Sequence, residues 1–285
     1  MPVPDTVSRR IECAIAERVF PGCVFGIVNK NGTRTVRPFG RFTYDGRSNE
    51  VRQDTIYDVA SITKSIPTSS LALLLASEKK LSLDERVTAY LPQLQNDHGA
   101  TIGDLLRYRV SGPALSTLKD KTADEILSYV FERGFDGLPG ASNYSNLPAL
   151  LLGLVIERVC GDRLDHLAQM RFFDPLGMTR TSFWPQYFSR EDIAPTEIEA
   201  WRGHVQGSVH DESAYVFTVL GPRPVGHAGV FSTAPDLLNF LDEVNRQFLD
   251  ALDAQDVVRR RMSFDDEVAL FHIVAFAHAD VLGLR

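Results

Sequence analysis

A short extended run meets an apolar helix in the segment YDVASITK, residues 57–64. If Ser61 opens a helix over residues 61 to about 79, Lys64 lies almost one turn later on the same face, so the hydroxyl and the amine share one space. The helix dipole and burial would then lower the pKa of Lys64 and let it accept the serine proton. A solvated lysine after an N-cap serine is the common alternative, because Ser-x-x-Lys often occurs by chance.

Composition sets the broad class of the protein. The 285 residues are 44% hydrophobic, with 30 basic and 37 acidic residues and a net charge of −7. A chain of this length can bury a large core, which favours one large domain. The acidic balance argues against nucleic acid as a partner.

Cysteine use and hydropathy indicate the compartment. Cys13, Cys23 and Cys160 are odd in number and widely separated, so they predict buried free thiols instead of a disulfide framework or a zinc site. No secretion signal is visible at the start, and the longest uncharged apolar run, residues 147–156, is too short to span a membrane. We expect a soluble, cytoplasmic protein without a membrane partner.

Apolar periodicity and turn signals predict the order of the elements. Residues 5–19 have helical spacing, and Asn31-Gly32 between two extended runs predicts a β-hairpin. Pro67 is expected to kink the helix that begins at Ser61. Further helices are predicted over the ranges 101–106, 124–135, 147–160, 164–173 and 235–248. Gly161 should end the helix predicted over 147–160 as its C′ residue.

Two other places carry candidate site residues. Tyr144 and Asn146 stand at a loop-to-helix junction, where a phenol can relay a proton and an amide can bind a substrate. His227 lies in a Gly-rich loop. Taken singly, a tyrosine before a helix usually packs at the edge of the core, and a lone histidine in a loop is usually solvated.

Seven ordered segments together resemble the serine hydrolase family that contains class C β-lactamases, DD-peptidases and related carboxylesterases. They are YDVASITK at 57–64, LSLD at 81–84, TIGDLL at 101–106, NYSN at 143–146, PLGM at 175–178, VHD at 209–211 and GHAGVFST at 226–233. The resemblance covers roughly residues 20 to 245. Their combination is specific, whereas each segment alone is not.

The resemblance implies an α+β fold in which an antiparallel sheet is flanked by helices and joined to a helical subdomain. It implies one β-lactamase-like domain over residues 1–285, with an α/β part at about 1–60 and 205–285 and a helical part at about 62–200. It further implies a small ester, amide or β-lactam substrate, an active site between the two parts, and no metal or organic cofactor. The oligomeric state stays open.

The same resemblance assigns roles by position. Ser61 would be acylated, Lys64 would deprotonate it, and Tyr144 would pass the proton to the leaving group. Asn146 would orient Lys64 or the substrate amide. His227 and Gly229 would line the substrate site.

Two departures from the family pattern limit these implications. His227-Ala228-Gly229 resembles the family's third motif in letters, but the residues after it resemble the segment upstream of the strand that carries that motif. Near the end of the chain only Val268–Phe276 resembles a strand, so we expect the hairpin edge to be incompletely covered and the chain to be a truncated or decayed relative. The alternative function is therefore a non-catalytic or impaired relative that binds a ligand or partner in the retained cleft.

The loop residues of this part of the sequence do not predict a metal site. His204, His210, Asp211 and His227 match no common metal-ligand spacing and are read as polar loop residues. We prefer an esterase-like hydrolase over a true β-lactamase, because the third motif is in doubt and a cytoplasmic enzyme would not meet β-lactams in the periplasm.

Overall fold

The computed structural model describes residues 5–29 and 32–254. Helix α1 spans Asp5–Ala16, and strands β1, Gly22–Val28, and β2, Arg34–Gly40, pair antiparallel from Gly22 opposite Gly40 to Val28 opposite Arg34. The predicted N-terminal helix and hairpin are confirmed. Among the described residues, β1 and β2 pair only with each other, and the strand predicted over Val268–Phe276 lies outside those residues.

The helix predicted from Ser61 to about residue 79 is kinked at Pro67, as expected, but it is irregular over nearly its whole first half. A 3₁₀ helix covers Ala60–Lys64, a wide helical turn covers Ser65–Ser69, and the regular helix α2 runs only over Ser70–Ser77. The path breaks at Ile66, whose φ of −119° and ψ of 104° are extended. The cause is Pro67, because its ring disfavours helical backbone at the residue before it.

Helices dominate the middle of the chain, as predicted. The bounds of α3 to α7 are Val87–Tyr90, Ile102–Leu106, Ala123–Arg133, Leu147–Cys160 and Leu164–Ala168. A wide turn over Gln169–Phe173 extends α7, and 3₁₀ turns cover Leu115–Leu118, Pro185–Tyr187 and Arg190–Asp192. Gly161 ends α6 with a φ of 67°, which confirms its predicted position as a left-handed C′ residue.

Short elements close the molecule around these helices. Strands β4, Glu197–Glu199, and β5, Gly203–Val205, form a small hairpin, followed by α8, Glu212–Tyr215, and a wide turn over Val216–Leu220. Strand β3, Tyr57–Asp58, pairs antiparallel with β6, Phe231–Ser232. This pairing brings the segment before Ser61 beside the segment after Gly229.

The last described helix, α9, Ala234–Ala254, packs against β1, where Leu238 lies close to Gly26. One hydrophobic cluster runs from Val24 in β1 through the buried face of α6 to Phe240 in α9. The fold is α+β, with antiparallel strands flanked by helices, as the family resemblance implied. No helix within residues 5–29 and 32–254 has the length and apolar character needed to cross a bilayer.

Candidate active site

Ser61 and Lys64 meet as their spacing predicted. Lys64 Nζ lies 2.7 Å from Ser61 Oγ and donates a second hydrogen bond of 2.9 Å to the main-chain carbonyl of His227. The Lys64 side chain is buried, with 2% of its surface exposed, whereas Ser61 is exposed. The Ser61 hydroxyl is therefore accessible to a substrate, while the Lys64 amine beside it is shielded from water.

Burial is the main cause that lowers the pKa of Lys64, and Tyr144 and Asp211 partly oppose it. A lowered pKa increases the neutral fraction of the amine, which is the form that accepts a proton. A helix dipole at Ser61 was also expected to lower this pKa. That expectation needs correction, because the helix there is a five-residue 3₁₀ segment with few aligned peptide dipoles.

The backbone before Ser61 is held by a buried carboxylate. Ala60 has a φ of 46°, a left-handed conformation that is uncommon for alanine, and its N–H donates to Asp58 Oδ1 at 2.8 Å. Asp58 Oδ2 accepts from the N–H of His210 at 2.7 Å. Burial raises the pKa of Asp58 to about 6, against the opposing effect of these two hydrogen bonds. Asp58 thus ties the Ser61 turn to the loop at residue 210.

Tyr144 lies at the open side of the Ser61–Lys64 pair. Its ring centroid is 5.1 Å from Lys64 Nζ, and 65% of its surface is exposed. The ring stacks on Tyr108 with centroids 5.4 Å apart, and burial raises the pKa of Tyr108 to about 12. This position suits contact with both Lys64 and a bound substrate.

Asn146 precedes the first residue of α6, as predicted. Its Nδ2 donates to Asp211 Oδ2 at 2.9 Å. Asp211 begins α8, where its Oδ1 accepts from Ser213 Oγ at 2.7 Å and from the N–H of Ala214 at 2.8 Å. The amide of Asn146 therefore has a fixed ionic partner on a distant part of the chain.

His227 borders the site through its backbone and not through its ring. Its carbonyl accepts from Lys64, while its imidazole is fully buried with Nε2 3.0 Å from Ser213 Oγ. Gly229 lies in the core, where an added Cβ would be 3.5 Å from Thr218, and its φ of 114° favours glycine. Both residues precede β6, and the predicted substrate contacts of His227 and Gly229 stay predictions.

The sequence assigned no role to Asp58, Tyr108 or Ser213, and Asp211 appeared there only within the segment 209–211 and as one member of a metal set without a common ligand spacing. Asp-x-Ser-Ala before an apolar turn is an N-cap signal that could have drawn attention to Asp211. Tyr108 contacts Tyr144 across 36 positions and Asp58 contacts His210 across 152, and no local pattern reveals such contacts. Within the described ranges no group of three His, Cys, Asp or Glu residues is arranged to hold a metal ion.

Comparison with known proteins gives a consistent result. Residues 7–273 match the sequence profile of the family described as Beta-lactamase. A putative D-alanyl-D-alanine carboxypeptidase of Escherichia coli K12 is 30% identical over 215 residues, 64% of this chain and 49% of the relative. An N-acetylmuramyl-L-alanine amidase of Bacillus subtilis 168 is 27% identical over 81% of this chain and 60% of the relative.

The fold has solved counterparts as well. The crystal structure of a D-alanine carboxypeptidase from Burkholderia cenocepacia superposes with a TM-score of 0.65 at 24% identity, covering 84% of this chain and 63% of the other. The chain thus spans about half to three fifths of the length of these relatives.

Proposed function

This chain belongs to the β-lactamase family, and from that premise we propose that it is a serine hydrolase that cleaves a small ester or amide through an acyl-enzyme on Ser61. The observation that carries the proposal is the exposed Ser61 hydroxyl 2.7 Å from the buried amine of Lys64. A hydroxyl is a weak nucleophile until a base takes its proton, and a lysine with a lowered pKa can act as that base.

In the proposed reaction, neutral Lys64 accepts the proton of Ser61 as Oγ attacks the substrate carbonyl carbon. The tetrahedral intermediate then collapses, and the leaving group takes a proton from Lys64 or through the hydroxyl of Tyr144. A water molecule repeats the sequence on the acyl-enzyme and releases the acid. The exposed position of Tyr144 beside Lys64 supports a role in proton transfer to the departing group.

The names of the relatives bear on the bond that is cleaved. The relatives from Escherichia coli and Bacillus subtilis are named for a carboxypeptidase and an amidase, and both names describe hydrolysis of amide bonds. Amide substrates therefore stand beside esters in the proposal. We still expect simple esters to be turned over faster than a β-lactam.

Covalent labelling tests the nucleophile. After incubation with a fluorophosphonate or a penicillin, intact-mass spectrometry should show one adduct, and Ser61→Ala should show none. Ser65→Ala is the matched control, because Ser65 is also exposed and lies one turn along the same segment. Absence of any adduct on the unmodified protein would overturn the proposed function.

Turnover then tests the substrate class. The rates with p-nitrophenyl acetate and butyrate are compared with that for nitrocefin, and fast nitrocefin hydrolysis without ester turnover would reverse the preference. The rival function, ligand binding without turnover, was motivated by residues 265–285, which lie outside the described residues. Labelling of Ser61 without turnover of any substrate would favour this rival.

A further inference from the structure

Behind the Ser61–Lys64 pair a set of side chains converges on the carboxylate of Asp211. Asn146 Nδ2 reaches Oδ2, while Ser213 Oγ and the N–H of Ala214 reach Oδ1. Nε2 of His227 lies 3.5 Å from the same Oδ1. A partly buried carboxylate with this many donors is held in one position by the surrounding elements.

The directions of these hydrogen bonds follow from the chemistry of each group. Ser213 gives its only proton to Asp211, so toward His227 its oxygen can only accept, and the imidazole proton must be on Nε2. The ring of His227 is therefore anchored by Ser213. The carbonyl of the same residue accepts from Lys64 Nζ at 2.9 Å, so anchoring the ring also holds that carbonyl.

The orientation of the Asn146 amide follows in the same way. An ionised carboxylate only accepts hydrogen bonds, so the NH₂ end of the amide must face Asp211 and the oxygen must face away. Burial by itself would raise the pKa of Asp211, but His227, Ser213 and Ala214 together hold it well below the usual range. The carboxylate is thus ionised at any working pH, and the amide has one orientation.

We propose that Asp211 is a positioning residue of the Ser61 site. It holds Lys64 in place through Ser213 and His227. It also turns the side-chain oxygen of Asn146 away from the Asp211 carboxylate, toward an N–H of Lys64 or of the substrate. This inference rests on the proposed function. The titratable groups that lie around Asp211 and Lys64 are His227, Tyr144 and Asp58. The negative charge of Asp211 favours the protonated form of Lys64.

Asp211→Asn tests both parts of the proposal. Its side chain can donate as well as accept, so Asn146 and Ser213 lose a fixed partner, and kcat for p-nitrophenyl acetate should fall between about 10-fold and 100-fold. Loss of the negative charge should also lower the pKa of Lys64, so the acid limb of kcat/KM should move to lower pH. A purely structural role would lower the amount of folded protein and leave that limb in place.

Further variants test the contacts through Ser213 and through Asn146 separately. They also provide a test if Asp211→Asn does not fold. Ser213→Ala keeps the charge of Asp211 but releases His227, so kcat should fall while the acid limb stays where it is. Asn146→Ala should cost less in the Asp211→Asn background than in the unmodified protein, because the two residues act together. Asp211→Glu should keep the acid limb near its original pH.

Asp236→Asn is the matched control. Asp236 is also buried, and it accepts from Thr181 Oγ1 and from the N–H of Arg180, both at 2.8 Å. This variant should lower the Tm with an unchanged acid limb. The inference would be overturned if Asp211→Asn left both kcat and the acid limb of kcat/KM unchanged and if Asn146→Ala lowered kcat equally in both backgrounds. Labelling of Ser61 would still uphold the proposed function in that case. Failure of the unmodified protein to label would overturn both.

Discussion

Burial converts an ordinary lysine at position 64 into a candidate base. Its amine has two partners, Ser61 Oγ and the His227 carbonyl, neither of which is an anion. Without a carboxylate in direct contact, the loss of hydration outweighs the attraction of charges further away, and the pKa of Lys64 falls. At the residue scale, the chemistry of the site therefore depends on how well Lys64 is kept from water.

Replacing Lys64 by arginine should remove the base while keeping the positive charge. A guanidinium stays protonated at every accessible pH, so acylation of Ser61 should slow by about 10² to 10⁴-fold, and the acid limb of kcat/KM should disappear. Stopped-flow measurement of p-nitrophenol release checks this. Lys121→Arg, at an exposed position, should leave the rate unchanged; a comparable rate in Lys64→Arg would refute the role of Lys64.

Asp58 should make stability depend on pH with a definite sign. Its pKa in the folded chain, about 6, is above the usual value near 3.8, so the folded state binds the proton more tightly. This contribution favours folding below about pH 4 and is lost as pH rises to about 6. Relative to Asp58→Asn, the free energy of unfolding of the unmodified protein should fall by at most about 3 kcal/mol over that range.

Urea unfolding at several pH values measures this difference. Asp120→Asn, which changes an exposed carboxylate, is the control and should follow the unmodified protein across the range. An Asp58→Asn variant whose stability runs parallel to that of the unmodified protein would contradict the assignment.

Helix α6 and the loop at residues 225–229 approach each other so closely that two glycines form the contact. A Cβ on Gly226 would be 2.2 Å from the carbonyl oxygen of Ala149, and one on Gly153 would be 3.1 Å from the nitrogen of Gly226. Thr68 Oγ1 also donates to the carbonyl of Gly226 at 2.8 Å. At the element scale, this contact places the His227 carbonyl beside Lys64, because Gly226 immediately precedes His227.

Gly226→Ala should disturb stability and activity together. The new methyl group meets helix backbone, which cannot move aside as a flexible side chain can, so about 1 to 3 kcal/mol of stability should be lost. The loop would shift, and kcat should fall with it. Thermal unfolding and ester turnover measure both effects. Gly46→Ala, where nothing lies within 4 Å of the added Cβ, should be neutral; equal effects at both positions would argue against this packing.

One hydrophobic cluster joins the hairpin, the helical part and α9. Its members include Val24 in β1, Leu151 in α6 and Phe240 in α9, all buried. The pairing of β3 with β6 adds a second link between distant parts of the chain. At the scale of the whole molecule, the hairpin, the helical part and α9 share this core, so the two parts expected from the sequence should not unfold independently.

Denaturant unfolding should therefore show a single transition. Fluorescence follows the only two tryptophans, the partly buried Trp184 and the half-exposed Trp201, while far-UV circular dichroism follows the helices. The two curves should coincide, because both signals depend on the same core. Midpoints that differ between the two probes would show separate unfolding units and contradict a shared core.

Local patterns were sufficient where neighbours in sequence decide the outcome. The antiparallel pairing of β1 with β2, the capped helix after Thr101 and the end of α6 at Gly161 were predicted from the sequence and are present. Turn chemistry and capping depend on residues within a few positions of one another. The distance between Ser61 and Lys64 was predictable for the same reason, although the helix carrying them was not regular.

Tertiary structure alone decided what surrounds Ser61 and Lys64. The carboxylate of Asp58 meets the N–H of His210 across 152 positions, and Lys64 meets the carbonyl of His227 across 163. Such contacts depend on which elements pack together, and the periodicity of one segment holds no information about the partner of another. Burial of Lys64, which sets its pKa, is likewise a property of the assembled core, so the residue types were readable from the sequence and their electrostatic environment was not.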